Sequence, residues 1–189
     1  MAHVGKETFI SAASVICTAG DLKLCIDELE RPKNWFYRQW VVDQLVNLNL
    51  QHSKILGEHF KKELNIDFTT TVKSLKWQPS LKKFDEVIQC PYWKYENADS
   101  YHEKSSVQTI IHKIQKPTLF LNSLDDPIIT SKCINFGVFK KNGFVILGTT
   151  QYGGHLGFNE SLFDLRAWYM TPALKFFNAY LERPIKARE

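Results

Sequence analysis

An α/β fold built on parallel strands is predicted for this chain of 189 residues. Three observations predict it. Ala13-Ser14-Val15-Ile16-Cys17, Thr118-Leu119-Phe120-Leu121-Asn122 and Gly143-Phe144-Val145-Ile146-Leu147-Gly148 are short runs, apolar on consecutive residues and bounded by turn formers. Such runs suit strands covered on both faces, which is the condition of a parallel sheet. Between the first and the second, roughly 100 residues read as helical, and the chain closes on a further helical pattern.

Each element has its own signals. The first strand ends at the turn sequence Thr18-Ala19-Gly20-Asp21. Asn34 then caps a predicted helix whose stripe is Tyr37, Val41, Leu45, Leu48, Ile55 and Leu56, with Phe60 one turn later. His52 lies on that stripe and is expected to be a partly buried, hydrogen-bonded histidine rather than a ligand. A weaker helical pattern covers Phe68 to Trp77, up to Pro79. Aromatic residues concentrate here (Trp35, Phe36, Trp40, Trp77, Tyr92, Trp93, Tyr95), either as core or as the lining of an acyl-binding cleft. Lys116-Pro117 announces the second strand. In the last helix Thr171 is the expected N-cap, and Pro172 takes the first helical position, where its missing N–H costs nothing. Leu174, Phe177 and Leu181 form the expected apolar face, and Pro184 stops the helix.

Composition narrows the function. Apolar residues make up 44% and charged residues 23%, an ordinary balance for one globular domain and against disorder or repeats. The net charge is +4, with the lysines scattered as Lys61-Lys62, Lys82-Lys83 and Lys140-Lys141, so no nucleic-acid footprint is expected. Cys17, Cys25, Cys90 and Cys133 form no C-x-x-C pair, against both a disulfide scaffold and a zinc ribbon. His52 and His59 are seven apart and no H-E-x-x-H occurs, so a metal hydrolase is disfavoured and neither metal nor organic cofactor is expected. Runs such as Phe144 to Leu147 fall far short of the ~20 apolar residues that span a bilayer. The first residues, Met1 to Glu7, lack the charged-then-apolar pattern of a signal peptide. A soluble, cytoplasmic chain is expected.

Two loops carry the candidate chemistry. Asn122-Ser123-Leu124-Asp125-Asp126-Pro127 follows the second strand, and Tyr152-Gly153-Gly154-His155-Leu156-Gly157-Phe158 follows the third. In open α/β sheets catalytic groups gather at the carboxyl ends of strands. A carboxylate beside an imidazole is the orienting half of a nucleophile–base–acid triad: the acid holds the ring tautomer and stabilises the imidazolium as it forms. Gly153 and Gly154 let the backbone turn sharply and present His155.

These two loops also carry a resemblance. With Leu29-Glu30-Arg31-Pro32-Lys33-Asn34-Trp35, Phe84-Asp85 and Lys116-Pro117 in support, and Gly5-Lys6 at the start, the chain resembles the C-terminal half of an α/β-hydrolase of the AB hydrolase superfamily type 4, the abhydrolase-domain phospholipase- and acylglycerol-lipase-like proteins. The resemblance implies an α/β-hydrolase fold in which the three runs are strands six to eight. Residues 1–21 then hold strand six, 22–116 a helical lid or cap insertion, and 117–189 strands seven and eight with the terminal helix. It implies Asp126 as triad acid, with Asp125 the alternative, and His155 as triad base. It further implies a lipid or acyl ester substrate, and a membrane anchor on a full-length parent.

The fold's triad order is Ser, acid, His, with the serine in a G-x-S-x-G elbow. No such motif occurs, and no cysteine lies in an elbow. The sequence is therefore expected to be a piece of a longer hydrolase or a truncated isoform, inactive unless completed by another segment. An interaction or regulatory protein is the alternative to an ester hydrolase.

Overall fold

A computed structural model describes residues 7–77, 79–161 and 164–182; Gly5-Lys6 and the expected helix stop at Pro184 lie outside them. The chain divides into two compact units, one made of the residues up to Asp21 and from Ser106 onward, the other of Leu22–Ser105.

Strand β1 (Ala13–Ile16) opens the first unit, and the helical unit follows it: α1 (Leu22–Glu30), α2 (Trp35–Gln51), α3 (Ser53–His59), α4 (Phe68–Ser74), α5 (Leu81–Phe84), α6 (Cys90–Trp93) and α7 (Ala98–Ser105). The buried apolar side chains of this unit include Val42, Val46, Phe60, Phe68, Val72 and Phe84. Polar groups fix its joints. Arg38 Nη1 donates to the Glu30 carbonyl (2.7 Å) and its Nε to the Pro79 carbonyl (2.9 Å), so one guanidinium ties the end of α1 and the approach to α5 to α2. Ser80 accepts from the Lys83 N–H to cap α5 and donates to Glu30 Oε1, and Asp67 accepts from the Thr70 N–H to cap α4. His102, fully buried, meets Asp85 Oδ2 at 2.7 Å. The Phe84-Asp85 block thus supplies a core ring and a partner for a buried histidine.

Several helical expectations change. The buried face of α2 is Val42 and Val46, while Tyr37, Leu48 and Ile55 are exposed and Val41 and Leu45 half-buried. Apolar residues occur all round α2, so periodicity does not set the phase of its buried face. The predicted helix breaks at His52, which is exposed at the joint of α2 and α3 instead of partly buried. Asn34 precedes α2 without capping it; its Nδ2 donates to the Glu28 carbonyl (2.7 Å). The pattern from Phe68 ends at Ser74, short of Trp77. Trp35, Phe36, Trp40, Trp77, Tyr92 and Trp93 are exposed, which removes the core reading for them.

The first unit resumes with β2 (Thr118–Ser123), α8 (Phe136–Phe139), β3 (Val145–Thr150), the antiparallel pair β4 (Asn159–Ser161) and β5 (Asp164–Ala167), and α9 (Met170–Glu182). The three predicted strands form one parallel sheet in the order β1-β2-β3, with Ile16 opposite Leu121 and Leu121 opposite Gly148. Mixed helix and strand around a parallel sheet is the predicted α/β class. Only β2 is buried along its whole length; β1 is half-buried, and Ile146 of β3 is exposed. Coverage on both faces holds for the middle strand because β1 and β3 are the margins of the described sheet. Ile111, Ile114, Phe120, Ile134 and Phe139 form the core on this sheet, with Phe120 and Phe139 edge to face at 5.0 Å.

Helix α9 begins at Met170, so Thr171 lies inside its first turn instead of capping it. Pro172, also in that turn, removes no needed donor. Leu174 and Leu181 are exposed; Ala173 is buried, with Phe176, Phe177 and Tyr180 half-buried. The helix is rotated relative to the expected face because these aromatics form a competing stripe. Among the described residues, no helix is long and apolar enough to cross a membrane.

Candidate functional site

Three parallel strands bring their carboxyl ends to one edge, and a reactive side chain follows each. β1 runs into Cys17, β2 into Leu124-Asp125-Asp126, and β3 into the loop that carries His155. The Leu124 N–H donates to the Thr150 carbonyl (2.9 Å), which continues the ladder of β2 and β3 to the edge where their loops begin.

Asp126 is buried, and its two carboxylate oxygens have different partners. Oδ1 accepts from the N–H groups of Ile128 and Ile129, each at 2.8 Å. Oδ2 lies 2.9 Å from His155 Nδ1. A carboxylate accepting from this ring does so from an Nδ1–H and leaves Nε2 turned away from the acid. The Asp126 side chain is fully enclosed, while that of His155 is 26% exposed. The pair therefore has an anchored acid and an accessible ring.

Asp125 does something different. It is exposed, and its carboxylate accepts from the Ser123 hydroxyl and from the Gly154 N–H (2.9 Å). The Ser123 hydroxyl, followed by the Gly154 N–H, holds its carboxyl below the usual carboxylate range. Asp125 ties the histidine loop to the end of β2, and Asp126 is the residue that meets the imidazole.

The histidine loop is shaped by its glycines and by one aromatic anchor. Gly154 has φ of 57°, in the left-handed region that suits glycine. A Cβ on Gly153 would come within 2.7 Å of the Phe158 ring. Phe158 is buried, its N–H donates to the Gly153 carbonyl (2.8 Å), and its ring stacks on Trp168 with centroids 6.3 Å apart. We expect Gly153→Ala to push Phe158 out of place, lower stability by roughly 1–3 kcal/mol as overpacking does, and shift His155. Thermal unfolding checks this; an unchanged midpoint contradicts it.

Cys17 is the residue the sequence reading missed. Its Sγ, an Asp126 carboxylate oxygen and a His155 ring nitrogen all lie within 4.8 Å of one another. Cys17 has φ of 52°, left-handed for a residue with a Cβ, directly after a strand. Its N–H donates to the Leu121 carbonyl (2.9 Å), and Asn122 Nδ2 donates to the next carbonyl, that of Thr18 (3.0 Å). Burial pushes its thiol up; the nearby Asp126 carboxylate adds to that, and the Leu156 N–H opposes it. The available signal was its place at a strand end, like the two loops; spacing in sequence gave no warning.

Phospholipase ABHD3 of Bos taurus is 26% identical over 177 residues, which is 94% of this chain and 41% of that protein. Monoacylglycerol lipase ABHD2 of Homo sapiens is 27% identical over 128 residues, 66% of this chain and 30% of that protein. Monoacylglycerol lipase of Saccharomyces cerevisiae is 28% identical over 146 residues, 77% of this chain and 31% of that protein. The chain thus spans less than half the length of these relatives. No protein-family model and no solved structure matches it. The chain is similar to abhydrolase-domain proteins, and its parallel three-stranded sheet with flanking helices agrees with part of an α/β-hydrolase fold.

Proposed function

We propose that this chain, similar to lipase- and phospholipase-type hydrolases, carries the acid and base of a carboxylic ester hydrolase acting on lipid-like acyl esters. The observation that carries the reading is the 2.9 Å contact of buried Asp126 with His155 Nδ1 at the carboxyl edge of a parallel sheet. The nucleophile is a serine in a G-x-S-x-G elbow supplied by a segment outside this sequence.

The steps follow from the proton positions. His155 Nε2 takes the serine proton as the serine oxygen attacks the ester carbonyl. Backbone N–H groups hold the resulting oxyanion. His155 then gives its Nε2 proton to the departing alcohol, leaving an acyl-serine. Water then gives a proton to the same Nε2 as its oxygen attacks the acyl carbonyl, and that proton passes to the serine oxygen as the acyl–serine bond breaks and the fatty acid leaves. Asp126 stays ionised throughout and stabilises the imidazolium; its bonds to Ile128 and Ile129 keep it aimed at the ring. The helical stretch between β1 and β2 corresponds, by the resemblance, to the family's lid insertion that shapes acyl preference.

The test joins this chain to the elbow-bearing segment of a relative such as the bovine phospholipase. The joined protein is expected to release fatty acid from a monoacylglycerol or a phosphatidylcholine, and this chain by itself to release none. A folded joined protein without turnover on either ester contradicts the reading.

A further inference from the structure

We propose that Cys17, Asp126 and His155 form a binding site for one soft divalent cation of the Zn²⁺ type, filled in competition with the Asp126–His155 hydrogen bond. Thiolate, imidazole and carboxylate are the three ligand types that Zn²⁺ takes, and three protein ligands plus water make its open tetrahedral site. Each ligand follows a different strand of one sheet, Cys17 directly after β1 and Asp126 and His155 on the loops after β2 and β3.

The distances suit a site that closes on its ion. Ligand atoms about 2.0–2.3 Å from a tetrahedral centre lie about 3.3–3.7 Å apart. His155 Nδ1 and Asp126 Oδ2 start at 2.9 Å, and the three ligand atoms span no more than 4.8 Å. Zn²⁺ would draw the three ligand atoms into that range through side-chain rotation. The outer contacts are already in place. Asp126 Oδ1 is bonded to Ile128 and Ile129 N–H, which leaves Oδ2 for the ion. The left-handed backbone at Cys17, braced at its own N–H and at the Thr18 carbonyl, fixes the direction from which the thiol arrives. His155 is partly exposed and gives the ion an entry path.

Binding moves two protons. The Cys17 thiol proton goes to solvent and the thiolate binds the ion. His155 binds through Nδ1, so the ring proton moves to Nε2. The base that the proposed hydrolysis needs is thereby occupied, and the ion is an inhibitor of that reaction; this consequence rests on the proposed function, whereas the binding does not.

The test titrates the full chain, reduced, with Co²⁺ and then Zn²⁺. One equivalent of Co²⁺ is expected to give the thiolate-to-cobalt charge-transfer band and the visible bands of a tetrahedral centre, and Zn²⁺ to bleach them. Cys17→Ser, with its fold verified by circular dichroism, is expected to lose the charge-transfer band, and Cys90→Ser to keep it. In the unaltered chain, Zn²⁺ is expected to convert His155 from the Nδ1–H to the Nε2–H tautomer by ¹⁵N NMR, which keeps the test open should Cys17→Ser not fold. No charge-transfer band, its survival in folded Cys17→Ser, or an unchanged His155 tautomer overturns the proposal. In the elbow-joined protein, turnover that saturating Zn²⁺ leaves untouched overturns the inhibitory role, whereas absent turnover with intact Co²⁺ binding overturns the hydrolase reading alone.

Discussion

In the elbow-joined protein, His155→Ala is expected to lower ester turnover by on the order of 10⁶, the scale reached when a triad member acting as a unit with the nucleophile is removed. Without Nε2 nothing takes the serine proton or returns one to the alcohol. Asp126→Asn is expected to cost on the order of 10⁴. Its amide oxygen still accepts from the Ile128 and Ile129 N–H groups, so the loop keeps its shape. The amide nitrogen facing His155 is a donor, however, and imposes the wrong tautomer. Asp125→Asn is the discriminating control, because Asp125 bonds Ser123 and Gly154 and not the imidazole; it is expected to retain most turnover. Steady-state hydrolysis of one ester by the three variants checks all of this. Equal losses at Asp125 and Asp126, or turnover in His155→Ala, contradict it.

Phe84→Ala carries the largest expected loss of stability. Phe84 has no exposed surface and sits beside Asp85, the partner of buried His102. Removing a buried phenyl ring costs roughly 3–5 kcal/mol through lost transfer energy and the cavity left behind. That is comparable with the whole stability of a domain, about 5–15 kcal/mol. We expect the helical unit Leu22–Ser105 to melt at a markedly lower temperature and to become sensitive to protease within that span. An unchanged melting profile contradicts the placing of Phe84 in its core.

The strands were legible because each is a short apolar run with turn formers at its ends, and Thr118-Leu119-Phe120-Leu121 sits where it reads, in the buried middle of the sheet. That an acidic loop and the His155 loop follow successive strands was legible for the same reason, and the two strands lie side by side. What sequence could not choose was the acid. Asp125 and Asp126 are adjacent and chemically alike, and only the backbone path, which turns one out and buries the other, separates them. The helical faces were less legible. In α2 and α9 aromatic and aliphatic residues occupy more than one stripe, so the buried face is decided by what packs against it. Cys17 was missed because its partners lie more than a hundred residues away along the chain, and a lone cysteine carries no spacing signal.

The most direct measurement needs no nucleophile and is made on this chain as it stands. Long-range ¹H–¹⁵N NMR of the imidazole reports which ring nitrogen of His155 bears the proton. Nδ1–H with a free Nε2 lone pair, lost in Asp126→Asn and kept in Asp125→Asn, is the expected result. A ring held as Nε2–H, or one indifferent to Asp126→Asn, would contradict the pairing of Asp126 with His155 as acid and base.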